Sequence, residues 1–227
     1  MPDPASPTEG RAVLHLFLRT TAAADGAALA TAVKRAEADE IQVVPVAILG
    51  HKADVALMIV GPEWWRLRHL QTEVVAGGFD LVDSYVSLTE VSEYAKGLPE
   101  EYVKSRLYPT LPPEGLRSWC FYPMSKGRAV GANWYTLDFD ERNELMREHG
   151  GTGRKYRGRV IQLITGSTGL DEYEWGVTLF AKDPDDLKDV VYTMRYDRAS
   201  ALYAEFGPFY TGTIGTLEEV LDAVGVS

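Results

Sequence analysis

Two stretches of this chain, residues 11–95 and 118–227, run through the same succession of hydrophobic periods, and that repetition limits the available folds more than any single motif. In the first, residues 12–18 read as a strand and 26–38 carry apolar residues at helical spacing. Residues 41–48 and 54–60 read as strands joined at Gly50-His51-Lys52, 63–75 return to a helical period behind Pro62, and 80–88 close as a strand. The order is β-α-β-β-α-β, the ferredoxin-like unit. In the second, 119–124 is a strand, 138–149 a helix stopped by Gly150-Gly151, and 159–165 and 174–180 are strands. A helix from Pro184 to Tyr192, a short helix over 199–205, a strand over 209–212 and a helix over 217–224 complete it. The two stretches share no evident sequence identity, so the repeat rests on element order. Residues 96–117, with Pro99, Pro109, Pro112 and Pro113, read as a connector, and residues 1–10 as a disordered lead-in. The predicted fold is α+β: tandem ferredoxin-like halves, a dimeric α+β barrel of antiparallel sheets with helices outside.

Charge and cysteine usage narrow the function. A net charge of −10 makes a phosphate-tracking surface a poor fit, so nucleic acid is not an expected partner. One cysteine, Cys120, excludes an internal disulfide, a cysteine-only zinc site and a thiolate iron–sulfur cluster. No apolar run approaches the ~20 residues of a membrane helix, and the first residues lack a charged, apolar leader pattern. The expectation is a cytoplasmic protein with no membrane contact. Against the acidic background, the segment from Arg117 to Arg159 holds nine basic and five acidic residues. Such a cluster suits a small anionic ligand, or else forms a solvated basic face.

Phosphate loops, dinucleotide glycine signatures and nucleophile elbows are missing. Of the four histidines, His149 stands out because it ends a predicted helix beside Arg147, just ahead of two glycines. There it either complements the helix dipole or ligates iron as a neutral imidazole. Phe121-Tyr122-Pro123-Met124-Ser125-Lys126 places a phenol and an ammonium at one rim of a sheet. Tyr122 and Lys126 serve there as reactive groups, or only as a core aromatic and a loop cation.

Taken together, several segments resemble the coproheme decarboxylases of the chlorite-dismutase-like superfamily. They are Arg106-Leu107-Tyr108-Pro109, 121–126, Asn133-Trp134-Tyr135, Leu145-Met146-Arg147-Glu148-His149-Gly150, 166–171, 174–180, Met194-Arg195-Tyr196-Asp197, Ser200 and 203–209. The match spans the second half in order and spacing, whereas the first half resembles the family only in element order.

The resemblance implies that His149 is the proximal iron ligand and that Tyr122 is oxidised to a radical that attacks a propionate. It puts Arg106, Lys126, Arg195 and Ser200 at positions that hold or polarise propionates, and Met124 and Trp134 along the porphyrin pocket. Gln162 falls on the distal side, where related chlorite dismutases carry an arginine, which argues against chlorite turnover. Iron-coproporphyrin III (coproheme) would be both substrate and cofactor, hydrogen peroxide the oxidant and haem b the product. A homopentamer and a transient contact with a ferrochelatase are implied as well. A haem-binding or haem-delivery protein without turnover, and a chlorite dismutase or peroxidase, are the alternatives.

Overall fold

The computed structural model describes residues 5–226 apart from Lys96 and Leu98. The first half forms β1 (Ala12–Arg19), α1 (Gly26–Ala38), β2 (Gln42–Ile48), β3 (Val55–Gly61), α2 (Trp64–Ala76) and β4 (Asp80–Thr89). A helix, α3 (Glu100–Leu107), follows. The second half forms β5 (Ser118–Lys126), a small hairpin of β6 (Arg128–Ala129) and β7 (Ala132–Asn133), α4 (Phe139–Arg154), β8 (Val160–Gly166) and β9 (Trp175–Ala181). It ends with α5 (Pro184–Met194), α6 (Arg198–Ala201), β10 (Ala204–Phe206), β11 (Tyr210–Ile214) and α7 (Leu217–Ala223). The fold is α+β, and the predicted strands and main helices follow one another in the expected order, with a hairpin, β6–β7, and a strand, β10, added in the second half. No helix among the described residues is long and apolar enough to cross a membrane.

The strands make one antiparallel ring. Each half contributes four in the ferredoxin-like arrangement, β4-β1-β3-β2 and β11-β5-β9-β8, and the halves join at β2–β11 and β4–β8. β10 extends the edge of β5 at Lys126, Ser125 and Met124. At the β2–β11 seam Gly212 lies opposite Ile48, and a Cβ there would collide with the Ala47 carbonyl, so the seam needs a glycine.

Alternation along the strands sorts side chains into three layers. Val13, Phe17, Met58, Trp119, Phe121 and Phe180 point into the ring with His15, Ser87 and Thr178. Leu14, Leu16, Leu18, Leu57 and Ile59 face outward beneath α1 and α2, meeting Leu29, Val33, Leu67, Leu70 and Val74. Because β1 and β3 are covered on both faces, they read as continuous apolar runs. On the second half the outward face carries Cys120, Tyr122, Val177 and Leu179 beneath Leu187 and Val190 of α5.

Three local expectations need correction. α4 does not stop at Gly150-Gly151 but continues to Arg154, so His149 lies inside it and not at its end. A glycine ends a helix by taking a left-handed φ, and neither of these two does so; the first left-handed glycine after them is Gly158, at +82°, in the turn that follows the helix. An Asp138–Glu141 capping box starts α4 firmly enough to carry it through them. The connector is not plain coil: α3 forms with Glu100 and Glu101 in its first turn and Lys104 and Arg106 in its last, matching the helix dipole. The predicted helix over 199–205 is one turn of α6, after which the chain extends into β10. Of the lead-in, residues 1–4 lie outside the described residues. Among the rest, the Ala5 carbonyl accepts from Trp64 N and Gly10 N donates to the Tyr108 hydroxyl.

Candidate functional site

A helix covering a sheet normally buries a stripe of apolar residues. α4 departs from this: Leu145 is its single buried side chain, and it packs on α5 and α6 rather than on the strands. Its main packing partners are thus the two neighbouring helices, which fix the position of His149. His149 Nδ1 lies 2.9 Å from Asp197 Oδ2. The Asp197 side chain is 2% exposed and also caps α6, its Oδ1 accepting from Ser200 N at 2.9 Å. Burial alone would push the Asp197 carboxyl up. The hydrogen bond and charge of His149, with the amide and hydroxyl of Ser200, outweigh it and hold the carboxyl below its usual range. An ionised Asp197 accepts an Nδ1–H, and Nε2, which carries the lone pair in the neutral tautomer protonated at Nδ1, has no partner among the described residues. This is the arrangement of a metal-ligating histidine oriented by a carboxylate. The Ser200 hydroxyl is 3.4 Å from the same Nδ1.

Lys126 reaches this cluster from the end of β5. Its ammonium donates to the Ala199 carbonyl at 3.1 Å and sits 4.3 Å from the centre of the Trp134 ring. Burial pulls its pKa down to about 8, against the opposing pull of Asp197 and Glu174. Trp134 is buried and meets Tyr203 edge-on at 5.4 Å. Glu174 accepts from Lys126 N at 2.8 Å and pairs with Arg128 at 2.5 Å, fixing the rim of the strand.

A second group lies on the outward sheet face. Tyr122 is buried, stacked on Phe209 at 4.5 Å and edge-on to Phe206 at 5.7 Å. Its hydroxyl has no hydrogen-bond partner among the described residues. Burial raises the phenol pKa, Cys120 adds to the rise, and Arg195 opposes it, so the phenol keeps its proton. Met124, two residues on, faces the same way and packs into the same cluster. Arg195 follows α5, with its guanidinium 5.4 Å from the Phe206 ring centre, exposed and without an ion pair among the described residues. Gln162 on β8 shares the outward face, since it lies opposite Leu179, which lies opposite Cys120. Its carbonyl accepts from Arg106 at 2.6 Å, while Arg106 also meets the Tyr102 hydroxyl at 2.7 Å.

The residues singled out from sequence thus form three groups: His149, Ser200, Lys126 and Trp134; Tyr122, Met124 and Arg195; and Gln162 with Arg106. Asp197 was missed as a functional residue. Its one local signal is a capping pattern, Asp197 three residues ahead of Ser200, which says nothing of a histidine 48 residues away. Among the described residues there is no group of three or more His, Cys, Asp or Glu able to hold a metal. A metal at His149 therefore needs a ligand frame of its own, and a planar macrocycle bearing carboxylates fits the donors present: one imidazole with an unpartnered nitrogen, and an exposed guanidinium without an ion pair among the described residues.

Comparison with known proteins points the same way. Residues 19–215 match the model of the family described as chlorite dismutase. A coproheme decarboxylase of Staphylococcus carnosus (strain TM300) is 45% identical over 177 residues, 74% of this chain and 70% of that one. A protein of Natronomonas pharaonis whose name proposes heme binding is 47% identical over 181 residues, covering 73% of this chain but 30% of the relative's length. Among solved structures, a heme-binding protein of Thermus thermophilus superposes with a TM-score of 0.87 at 36% identity, covering 100% of this chain and 99% of that one. A mutant chlorite dismutase of Candidatus Nitrospira defluvii gives 0.75 at 18% identity, covering 96% and 97%, a likeness of fold alone.

Proposed function

The chain belongs to the chlorite dismutase family, and from that premise we propose that it converts coproheme to haem b by hydrogen-peroxide-dependent oxidative decarboxylation of two propionates, through a three-propionate intermediate. The observation that carries the proposal is His149 Nε2, unpartnered among the described residues while Nδ1 is held by a buried, ionised Asp197, on a helix of the half whose sheet bears Tyr122. The 45% identity to a named coproheme decarboxylase supports it.

Bound through His149, coproheme supplies an iron that takes up the oxidising power of peroxide. The rest falls to the chain. Turning a propionate into a vinyl group removes two electrons, one proton and carbon dioxide, which acid–base side chains cannot do by themselves. Tyr122 relays the oxidation: it gives up one electron with its phenolic proton, then recovers a hydrogen atom from the propionate β-carbon. A second electron leaves, the carbon–carboxylate bond breaks, and one peroxide becomes two waters for each propionate. The raised phenol pKa serves this role, because the proton is present to be lost only when the electron goes.

Arg195 is the cation we assign to a propionate, being exposed and unpaired, and an arginine grips a carboxylate with two nitrogens. Arg106 has guanidinium hydrogens to spare beyond its bonds to Gln162 and Tyr102. Lys126 and Ser200, already engaged with the Ala199 carbonyl and His149, we assign to keeping Asp197 ionised and His149 aligned on it. Met124 and Trp134 line the porphyrin, and Gln162 faces the side where peroxide arrives. Family resemblance supports a cytoplasmic homopentamer supplied with substrate by a ferrochelatase.

The test adds coproheme and then peroxide to the purified protein, following the visible spectrum and the porphyrin mass. Stepwise loss of two carboxyl groups is expected. A porphyrin that binds and stays intact would turn the reading into haem delivery, and chlorite turnover would turn it into a dismutase. His149→Ala should weaken and spectrally alter coproheme binding in a folded protein; an unchanged Soret band overturns the ligand assignment.

A further inference from the structure

The core of the ring contains three polar atoms that are fully buried and have no hydrogen-bond partner among the described residues: His15 Nδ1, Ser87 Oγ and Trp119 Nε1. They come from β1, β4 and β5, and alternation points all three inward. His15 lies opposite Tyr85, and Ser87 opposite Val13, so Ser87 and His15 are diagonal neighbours on one face of the β1–β4 pair, within reach of a shared partner. The Trp119 and His15 rings are 6.3 Å apart across the ring of strands. Three such orphans in one apolar core are costly unless something answers them.

We infer that the barrel core holds an enclosed, ordered water bonded to His15 Nδ1, Ser87 Oγ and Trp119 Nε1. The chemistry of the three atoms selects the occupant. An indole N–H can only donate, so the occupant accepts, which rules out a metal cation. His15 Nε2 is paired with Thr178 Oγ1 at 3.2 Å, and its surroundings, Phe17, Trp119 and Phe121, keep the imidazole neutral. Where Nε2 donates to Thr178, Nδ1 accepts and the occupant must also donate, which rules out a halide. Water accepts from Trp119, donates to His15 and Ser87, and so makes the three bonds usual for a buried water. In the other tautomer it accepts from both rings and donates to Ser87, again satisfying all three. The site is independent of the haem reading, since it lies on the opposite sheet face from Tyr122.

A crystal structure of the chain, refined at a resolution that shows ordered solvent, should place one oxygen within hydrogen-bond distance of all three atoms. The same density with Ser87→Ala should shift toward His15 and Trp119. In solution the Trp119 indole proton should be protected from exchange and show a cross-peak to long-lived water. No density, direct pairing of the three atoms with other protein groups, or an unmoved peak in Ser87→Ala overturns the inference, as does a Trp119 proton without the cross-peak.

Discussion

The outer layers of the two halves are built on one topology and do opposite things with it. Over the first half, α1 and α2 press alanine, leucine and valine directly onto a largely aliphatic sheet face. Over the second, only α5 closes onto the strands, while α4 rests on its neighbouring helices and the face below carries a phenol, a thiol and an amide. Helix spacing over a sheet is set by side-chain size and by whether polar groups must be kept apart from apolar ones. The small residues of α1 allow close approach, whereas the His149–Asp197–Lys126 cluster anchors α4 to α6 and the end of β5. The candidate site residues lie where the aliphatic seal is not made.

Several experiments would break or sharpen that contrast. The largest effect belongs to one oxygen on the second face: Tyr122→Phe keeps the ring and its packing on Phe209, so coproheme binding should be near normal, but mass spectrometry should find no vinyl product. Wild-type conversion by this variant would make Tyr122 a packing residue and leave the two faces chemically alike. Next comes packing. Leu57→Ala, beneath the first half's helices, should cost about 2–5 kcal/mol in denaturant unfolding, and Leu145→Ala in α4, which packs on fewer neighbours, distinctly less. Equal losses would say that α4 is sealed as tightly as α1.

A third, smaller effect is electrostatic. Lys126 releases its proton at about 8 in the folded protein and near the ordinary lysine value, about 10.4, when unfolded. Between those values the unfolded chain binds more protons, so stability should rise with pH across that window, by up to about 3 kcal/mol. Lys126→Met should flatten the rise; a rise that persists would place its origin elsewhere. The smallest effect is at Arg195, where Arg195→Gln should weaken coproheme, with four propionates, more than haem b, with two. Exposure puts the loss near the low end for a charge-assisted bond, about 1.5 kcal/mol. Titration of both porphyrins followed in the Soret band checks it, and equal losses would remove Arg195 from propionate recognition.

Much of the fold was legible because it depends on local periodicity: α1 spans the residues its apolar spacing marks out, and each main strand lies within about two residues of the expected place. What was not legible depends on partners distant in the chain. α3 hides between Pro99 and Pro109, which look like coil until the helix is seen tied down. Gly150 and Gly151 look like a stop, and only the backbone shows that they stay helical and that α4 runs on to Arg154. Tyr122, His149 and Lys126 could be picked out as residue types with chemistry. That Lys126 serves the His149 side follows from β5 ending beside α6, a tertiary fact with no sequence signature.

The ring is not closed with equal strength all round. Among the described residues β4 and β8 pair only at Leu88–Gly166 and Thr89–Thr165, and no other strand pairs with the rest of that edge of β8. α3 spans the gap: the Leu107 carbonyl accepts from the Thr89 hydroxyl at 2.8 Å, and Arg106 holds the Gln162 carbonyl at 2.6 Å. In mechanical terms the connector is the clasp of a bracelet, fastened to both sides of its thinnest link. A tug on that clasp is transmitted to the backbone of Gln162. Nicking the chain just ahead of Pro99 should therefore slacken the wall that carries Gln162 while leaving the aliphatic first half shut.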